Sequence, residues 1–183
     1  MHNIVCIAGL CGAGKSVVSE YIVQEGFQYL HIGKITMDIL KQKNLVINET
    51  NERQVRESLR KQYGMEAYAL LNLEKLTHLS SQGHVVADGL YSFSEYVVLK
   101  DHFKQNLIVL AVYAPPQLRY QRLSVRPERQ LTPDEAKKRD FNEIMNVEKG
   151  GPIAMADITI NNTGSFEELR KQVREAINVI KIH

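Results

Sequence analysis

The sequence predicts an α/β fold: a five-stranded parallel sheet with helices on both faces and a phosphate-binding loop after the first strand. Three observations predict it. Strand-like and helix-like segments alternate along the chain, which marks a parallel sheet. The strand segments are continuous apolar runs, as strands covered on both faces must be. Between the first of these runs and the first helix, Gly9-Leu10-Cys11-Gly12-Ala13-Gly14-Lys15-Ser16 matches G-x-x-x-x-G-K-[ST].

The chemistry of that loop dictates its residues. Gly12 and Gly14 remove Cβ atoms where the backbone must approach phosphate oxygens and adopt unusual dihedrals. The N–H groups of Gly12, Ala13, Gly14, Lys15, Ser16 and Val17 then form an anion nest, reinforced by the positive end of the following helix. Lys15 brings a cation to the β- and γ-phosphates, and the Ser16 hydroxyl is a ligand for Mg²⁺.

The elements follow in order. Ile4-Val5-Cys6-Ile7-Ala8 is the first strand, and Val17, Val18, Tyr21 and Ile22 recur at helical spacing after the loop. A short second strand fits Phe27 to Ile32. Gly33 turns the chain into a helix from about Lys34 to Lys43, and the polar residues 44–51 make a loop. Val55, Leu59 and Tyr63, then Ala67, Leu70, Leu71, Leu73 and Leu76, mark a long helical region that Gly64 divides. Val85-Val86-Ala87-Asp88 is a third strand ending in an acid. Ser92 with Glu95 forms a capping box that opens a helix reaching about Phe103.

Leu107 to Tyr113 is the fourth strand, closed by Pro115-Pro116, and a helix around Gln117–Val125 follows. Thr132-Pro133-Asp134-Glu135 joins three helix-start signals: a capping Thr, Pro at the first position, and Glu three residues on. This helix stops by Gly150-Gly151-Pro152. Ile158-Thr159-Ile160 is the fifth strand. Ser165 with Glu168 caps a last amphipathic helix carrying Leu169, Val173, Ile177 and Ile180.

Bulk properties bound the function. At 183 residues one domain with a substantial core is expected, spanning residues 1–183. The apolar fraction of 44% and charged fraction of 24% are those of an ordinary globular protein. No apolar run reaches membrane-spanning length. The first strand begins so near the start that no signal peptide fits, so the expected location is cytoplasmic. A net charge of +2 is too small to imply a nucleic-acid binder. Within it, however, Arg119, Arg122, Arg126, Arg129, Lys137, Lys138 and Arg139 cluster as a local anion site. The histidines at 2, 31, 78, 84, 102 and 183 lack metal-site spacing, and Cys6 and Cys11 suit space-filling rather than a disulfide.

In open parallel sheets ligands bind at the carboxyl ends of the strands. There Asp88 is placed to hold Mg²⁺, directly or through water. Arg56 and Arg60 share a helix face and suit an anionic acceptor; pairing with Glu52 and Glu57 is the alternative. Arg122, Arg126, Arg129 and Arg139 flank a segment at about 126–150 that would act as a lid, with Arg126 and Arg139 the best placed to stabilise a transferred phosphoryl group.

These residues resemble the P-loop nucleotide kinases, which include nucleoside-monophosphate kinases and dephospho-CoA kinase. More closely, the chain is similar to bacterial and archaeal kinase-like proteins labelled AAA-family ATPase or dephospho-CoA kinase-like. The shared segments are GLCGAGKS at 9–16, LRKQYG at 59–64, VVADGLYS at 85–92, RYQRLSVR at 119–126, RDFNE at 139–143 and GGPIAMADITINN at 150–162. The resemblance implies strand order 2-3-1-4-5, ATP with Mg²⁺, an arginine-bearing lid, and an acceptor region at about 34–80. Adenine would lie between Arg122 and the loop around Asn162-Thr163-Gly164. The acceptor half departs from its relatives. Gly33-Lys34-Ile35-Thr36-Met37 replaces G-D-x-x-R, Leu30-His31-Ile32 replaces D-x-D, and Asp88-Gly89-Leu90-Tyr91-Ser92 replaces D-G-[FY]-P-R. Lys34, Arg56, Arg60 and Tyr91 are therefore the candidate acceptor contacts. The expected function is an ATP-dependent kinase acting on a small nucleotide or nucleotide-like acceptor, with no nucleic-acid or membrane partner and the oligomeric state open. The alternative is a regulatory ATP-binding protein or slow ATPase.

Overall fold

The first strand, β1 (Ile4–Ala8), is fully buried at every position, as a central strand covered on both faces must be. The computed structural model describes residues 2–127 and 129–182; His183, counted among the histidines above, lies outside them. After β1 come α1 (Lys15–Gln24), β2 (Gln28–His31), α2 (Lys34–Gln42), α3 (Glu49–Tyr63), α4 (Ala67–Gln82), β3 (Val85–Asp88) and α5 (Phe93–Phe103). A 3₁₀ turn at Lys104–Asn106 leads to β4 (Leu107–Tyr113), α6 (Pro116–Val125), α7 (Pro133–Met145), α8 (Gly150–Ala154), β5 (Ile158–Asn161) and α9 (Phe166–Ile182).

All strand pairs are parallel, and the sheet order is β2-β3-β1-β4-β5, the order the resemblance implied. One face packs Ile4, Cys6, Leu30 and Ala87 against Leu40, Tyr68, Leu76 and Leu99 of α2, α4 and α5. The other packs Val5, Ile7, Val86 and Leu110 against Val18 and Ile22 of α1 and Val173 and Ile177 of α9. The alternation of inward side chains along β1 thus builds two cores on one sheet.

Local signals account for most boundaries. Gly64 ends α3 at φ 82°, Ser92 caps α5 by accepting from the Glu95 N–H, and Thr132 with Glu135 forms a reciprocal capping box on α7. One expectation is corrected and one is extended. The 44–51 loop is shorter, because Asn48 accepts the Asn51 N–H at 2.8 Å and starts α3 at Glu49. The helix opened by Thr132 does stop before Gly150, at Met145, but Gly150-Gly151-Pro152 then begins a further short helix, α8, that was not expected; Pro152 lies in its first turn, where a missing N–H costs nothing. Gly151 is needed there for packing, since a Cβ would come within 2.6 Å of the Phe93 ring.

Register fixes the sheet's carboxyl edge. Ile7 and His31 both stand level with Asp88, and Tyr113 stands level with Asn161. The chain therefore leaves the neighbouring strands β1 and β3 side by side at Gly9 and Gly89, and leaves β5, one strand beyond β4, at Asn162. Among the described residues no helix is long and apolar enough to cross a membrane.

Candidate active site

The phosphate loop has the geometry its glycines require. Gly12 (φ 81°) and Gly14 (φ 96°) occupy left-handed conformations, which disfavour any side chain. A Cβ on Gly12 would stand 2.8 Å from the Arg119 carbonyl, and one on Gly14 would strike the Asn162 amide. That amide donates to the Ala13 carbonyl at 2.8 Å, tying the end of β5 to the loop. Ser16 lies exposed in the first turn of α1, and Val17 is half-buried against the α1–α9 core. The N–H groups at this helix start have no partner within the helix, which leaves a cradle for phosphate oxygens.

Lys15 folds back over the loop, donating to the Gly9 carbonyl at 2.9 Å and the Leu10 carbonyl at 3.1 Å. Burial, followed by repulsion from Lys149, lowers its pKa to about 8; Glu143, Cys11 and Asp88 partly offset this. A buried ammonium facing another is a site that an anion would relieve.

The region from Arg119 to Lys149 lies against this loop. Arg119 is buried and makes a bidentate pair with Asp140 of α7, at 2.7 and 2.6 Å. It also donates to the Ala114 carbonyl at 3.0 Å and to the Cys11 carbonyl at 3.1 Å. It is therefore a fastening between β4, the loop and α7, not part of an open anion site. Arg122 donates to the Asn162 backbone carbonyl at 3.0 Å. Its other terminal nitrogen is buried without a hydrogen-bond partner among the described residues, and burial lowers its pKa. Arg126 donates to the Arg129 carbonyl, with its Nε buried and likewise unpartnered among the described residues. Arg139 donates to Glu143 at 3.3 Å. Arg129 reaches across to Glu52 of α3 at 2.6 Å, tying the chain after α6 to α3.

A UPF0200 protein of Thermococcus kodakarensis is 32% identical over 181 residues, covering 97% of each chain. The chain belongs to the UPF0200 family. A UPF0200 protein of Staphylothermus marinus is 34% identical over 182 residues, covering 97% of this chain and 91% of its own. The AAA domain family model matches residues 5–148, from β1 through α7. Shikimate kinase of Acinetobacter baumannii, solved with shikimate, superposes with TM-score 0.61 at 22% identity, covering 99% of this chain and 94% of its own. Dephospho-CoA kinase of Campylobacter jejuni superposes with TM-score 0.58 at 20% identity, covering 98% and 97%. This UPF0200 chain thus has the fold of the P-loop kinases.

At the end of β3, beside the strand that leads into the phosphate loop, the UPF0200 chain gathers a buried polar group. Asp88 is buried and accepts from the Tyr29 hydroxyl at 3.3 Å. The Tyr91 ring packs edge-on to Tyr68 and under the Lys149 ammonium, 5.5 Å from the ring centroid. Burial and then Asp88 raise the Tyr91 phenol pKa. Glu95 is fully buried. One of its oxygens accepts the Tyr91 N–H at 2.8 Å; the other, like Nε of Arg60, has no hydrogen-bond partner among the described residues.

The acceptor candidates divide. Arg60 and Tyr91 belong to this buried group. Lys34 is held on the surface of its own helix by Asp38, at 2.5 and 2.7 Å, and Arg56 pairs with Glu52 at 3.3 Å.

Sequence reasoning missed three residues of the site. Glu95 was visible only as a helix cap. Glu143 was visible only within the RDFNE segment. Lys149 has no sequence signal, because nothing before Gly150 distinguishes it from a surface lysine.

Glu95 carries a testable consequence. Burial raises its pKa from 4.5 to about 7, against the opposing Tyr91 N–H, the Arg60 charge, the Ser92 N–H and the Lys149 charge. Between those two pH values the folded chain holds a proton that the unfolded chain has released. Stability therefore falls as pH rises across this window, by about 3 kcal/mol. Glu95→Gln is expected to flatten this part of the melting-temperature profile and to be the more stable protein at pH 8. An unchanged pH slope in the variant would remove Glu95 as the cause.

Proposed function

We propose that the chain is an ATP-dependent small-molecule kinase that transfers the γ-phosphoryl group to a nucleotide or nucleotide-like acceptor. The observation that carries this reading is a second polar group beside the phosphate loop: Asp88 and Glu95 are buried, Tyr91 and Nε of Arg60 join them, and Asp88 acts on the charge of Lys15. Binding a nucleotide needs only the loop; a second, polar wall is what an acceptor needs. The shikimate kinase and dephospho-CoA kinase that share this fold add support.

In this reading Gly12, Ala13, Gly14, Lys15, Ser16 and Val17 hold the phosphates, and Arg122 with Asn162 borders the adenine. The orphaned Arg122 nitrogen suits a ligand oxygen or ring nitrogen. Ser16 and Asp88 are hard oxygen donors of the kind Mg²⁺ prefers, and Asp88 stands level with Ile7, two residues before the loop begins. Bound there, Mg²⁺ would neutralise charge on the phosphate oxygens. Lys15, Arg126 and Arg139 stabilise the negative charge of the transferred group, and Asp88 orients the acceptor hydroxyl. The 126–150 segment is the lid that excludes water, and residues 34–80 supply the acceptor wall through Arg56, Arg60 and Tyr91. Lys34 is the weakest member of that set, since it faces solvent on Asp38.

The deciding experiment offers ATP·Mg²⁺ with nucleoside monophosphates, deoxynucleotides and dephospho-CoA, and reads products by mass. A product heavier by one phosphoryl group is expected from one of these classes. Slow ADP release with no phosphorylated product would instead favour the regulatory ATP-binding or slow-ATPase reading, which the surface pairing of Lys34 fits.

A further inference from the structure

The charges above the phosphate loop are arranged around one buried carboxylate. Glu143, on α7, accepts the Cys11 N–H of the loop at 3.2 Å through Oε2. Its Oε1 pairs with Lys149 at 2.9 Å and takes the Arg139 Nε–H at 3.3 Å. Lys149 is itself buried, 5% exposed, and its ammonium also covers the Tyr91 ring. Glu143 is held below the usual carboxylate range: burial would raise it, but Lys149, Arg139 and Lys15 more than offset that.

We propose that Lys149 is a second cation for the terminal phosphoryl group of the bound nucleotide, and that Glu143 holds its place until the nucleotide arrives. This rests on the kinase reading above. A backbone N–H of the loop and a buried ammonium are both natural partners of phosphate oxygens, and here one carboxylate bridges the two. Lys149 also links two polar groups: through Glu143 it joins the phosphate loop, and over the Tyr91 ring it joins the group at the end of β3.

Burial argues the same way. A lysine that served only to neutralise Glu143 need not lie close enough to Lys15 to be the largest charge acting on it. Two like charges held together in a desolvated site are stabilised when a polyanion enters between them. The exchange is non-covalent: the Lys149 and Cys11 N–H groups trade a carboxylate oxygen for phosphate oxygens, and no proton moves.

The test compares ATP and ADP affinities by calorimetry, with Mg²⁺, for the wild type, Lys149→Met and the double variant Lys149→Met/Glu143→Gln. The single variant leaves Glu143 with Arg139 as its remaining cation, and the excess negative charge would itself repel phosphate and lower stability; the double variant removes both effects. We expect the single variant to lose about tenfold or more in ATP affinity, on the scale of one charge-assisted contact, with ADP affinity held within about twofold. In the double variant thermal stability should recover and the preference for ATP should stay lost. A double variant that regains the wild-type ATP-to-ADP ratio, or a single variant that never loses it, overturns the role of Lys149 and leaves the kinase reading intact. A wild-type protein that binds neither nucleotide overturns both.

Discussion

Lys15→Met is expected to lower turnover by ~10²–10³-fold or more, the loss seen when one preorganised electrostatic donor is removed, while the protein still folds. The two halves of this expectation have separate causes. The Lys15 ammonium is buried, with its pKa lowered from 10.5 to about 8. Between those values the unfolded chain binds a proton that the folded chain lacks, so stability rises with pH across the window. Below pH 8 the charge costs the fold about 3 kcal/mol. Methionine fills a similar volume and removes that cost. It also forfeits the two hydrogen bonds to the Gly9 and Leu10 carbonyls, charged-donor bonds of about 1.5–3 kcal/mol each.

The net loss is about 0–3 kcal/mol, so the melting temperature should fall by roughly 10 °C at most while activity collapses. The stability gain of the wild type between pH 8 and 10 should also be missing from the variant. Nucleotide binding adds a third readout. Phosphate oxygens beside Lys15 should restore its affinity for a proton, so ATP binding at pH 8 to 9 should take up protons, measurable by calorimetry in buffers of different ionisation enthalpy. A variant that turns over substrate like the wild type would remove Lys15 from the chemistry.

Much of the architecture was legible because local rules and tertiary packing agree. The apolar run Val85–Asp88, the glycine at 64 and the Thr132 capping box each mark a boundary through backbone chemistry that any context must satisfy. The phosphate loop was legible for the same reason: its glycines are required by dihedral angle and by the approach of Arg119 and Asn162. Where the sequence fell short, one segment served two purposes. Gly150-Gly151-Pro152 follows the end of α7 at Met145 and also begins α8, where Gly151 makes room for the Phe93 ring and Pro152 suits a first helical turn.

The arginines show the limit most clearly. Arg119 and Arg122 are three apart on one helix and look alike in sequence. Burial and the facing Asp140 make the first a fastening, while the second keeps an orphaned nitrogen beside Asn162. Glu95 was hidden by its own capping role, and Lys149 became visible only when α8 brought it over Tyr91. Such assignments depend on which side chains meet across more than twenty residues of sequence, and no local pattern encodes that.

Arg119→Leu should therefore be the most destabilising single change in the region between β4 and α7. It leaves Asp140, a carboxylate with 9% side-chain exposure, facing only the Tyr120 hydroxyl at 2.8 Å among the described contacts. Breaking one side of a buried ion pair costs about 3–5 kcal/mol. For a chain of this size, that corresponds to a fall of roughly 10 °C or more in melting temperature. The pair itself need not be strongly stabilising, because desolvating both ions offsets much of their attraction. Arg119→Leu/Asp140→Leu should accordingly recover most of the lost stability. It should not recover nucleotide affinity, since the guanidinium also holds the Cys11 carbonyl at 3.1 Å and so fixes the loop's first turn. Stability and affinity returning together in the double variant would show that Arg119 acts on the loop only through α7. Affinity staying low while the fold recovers would place the Cys11 contact among the determinants of the phosphate site.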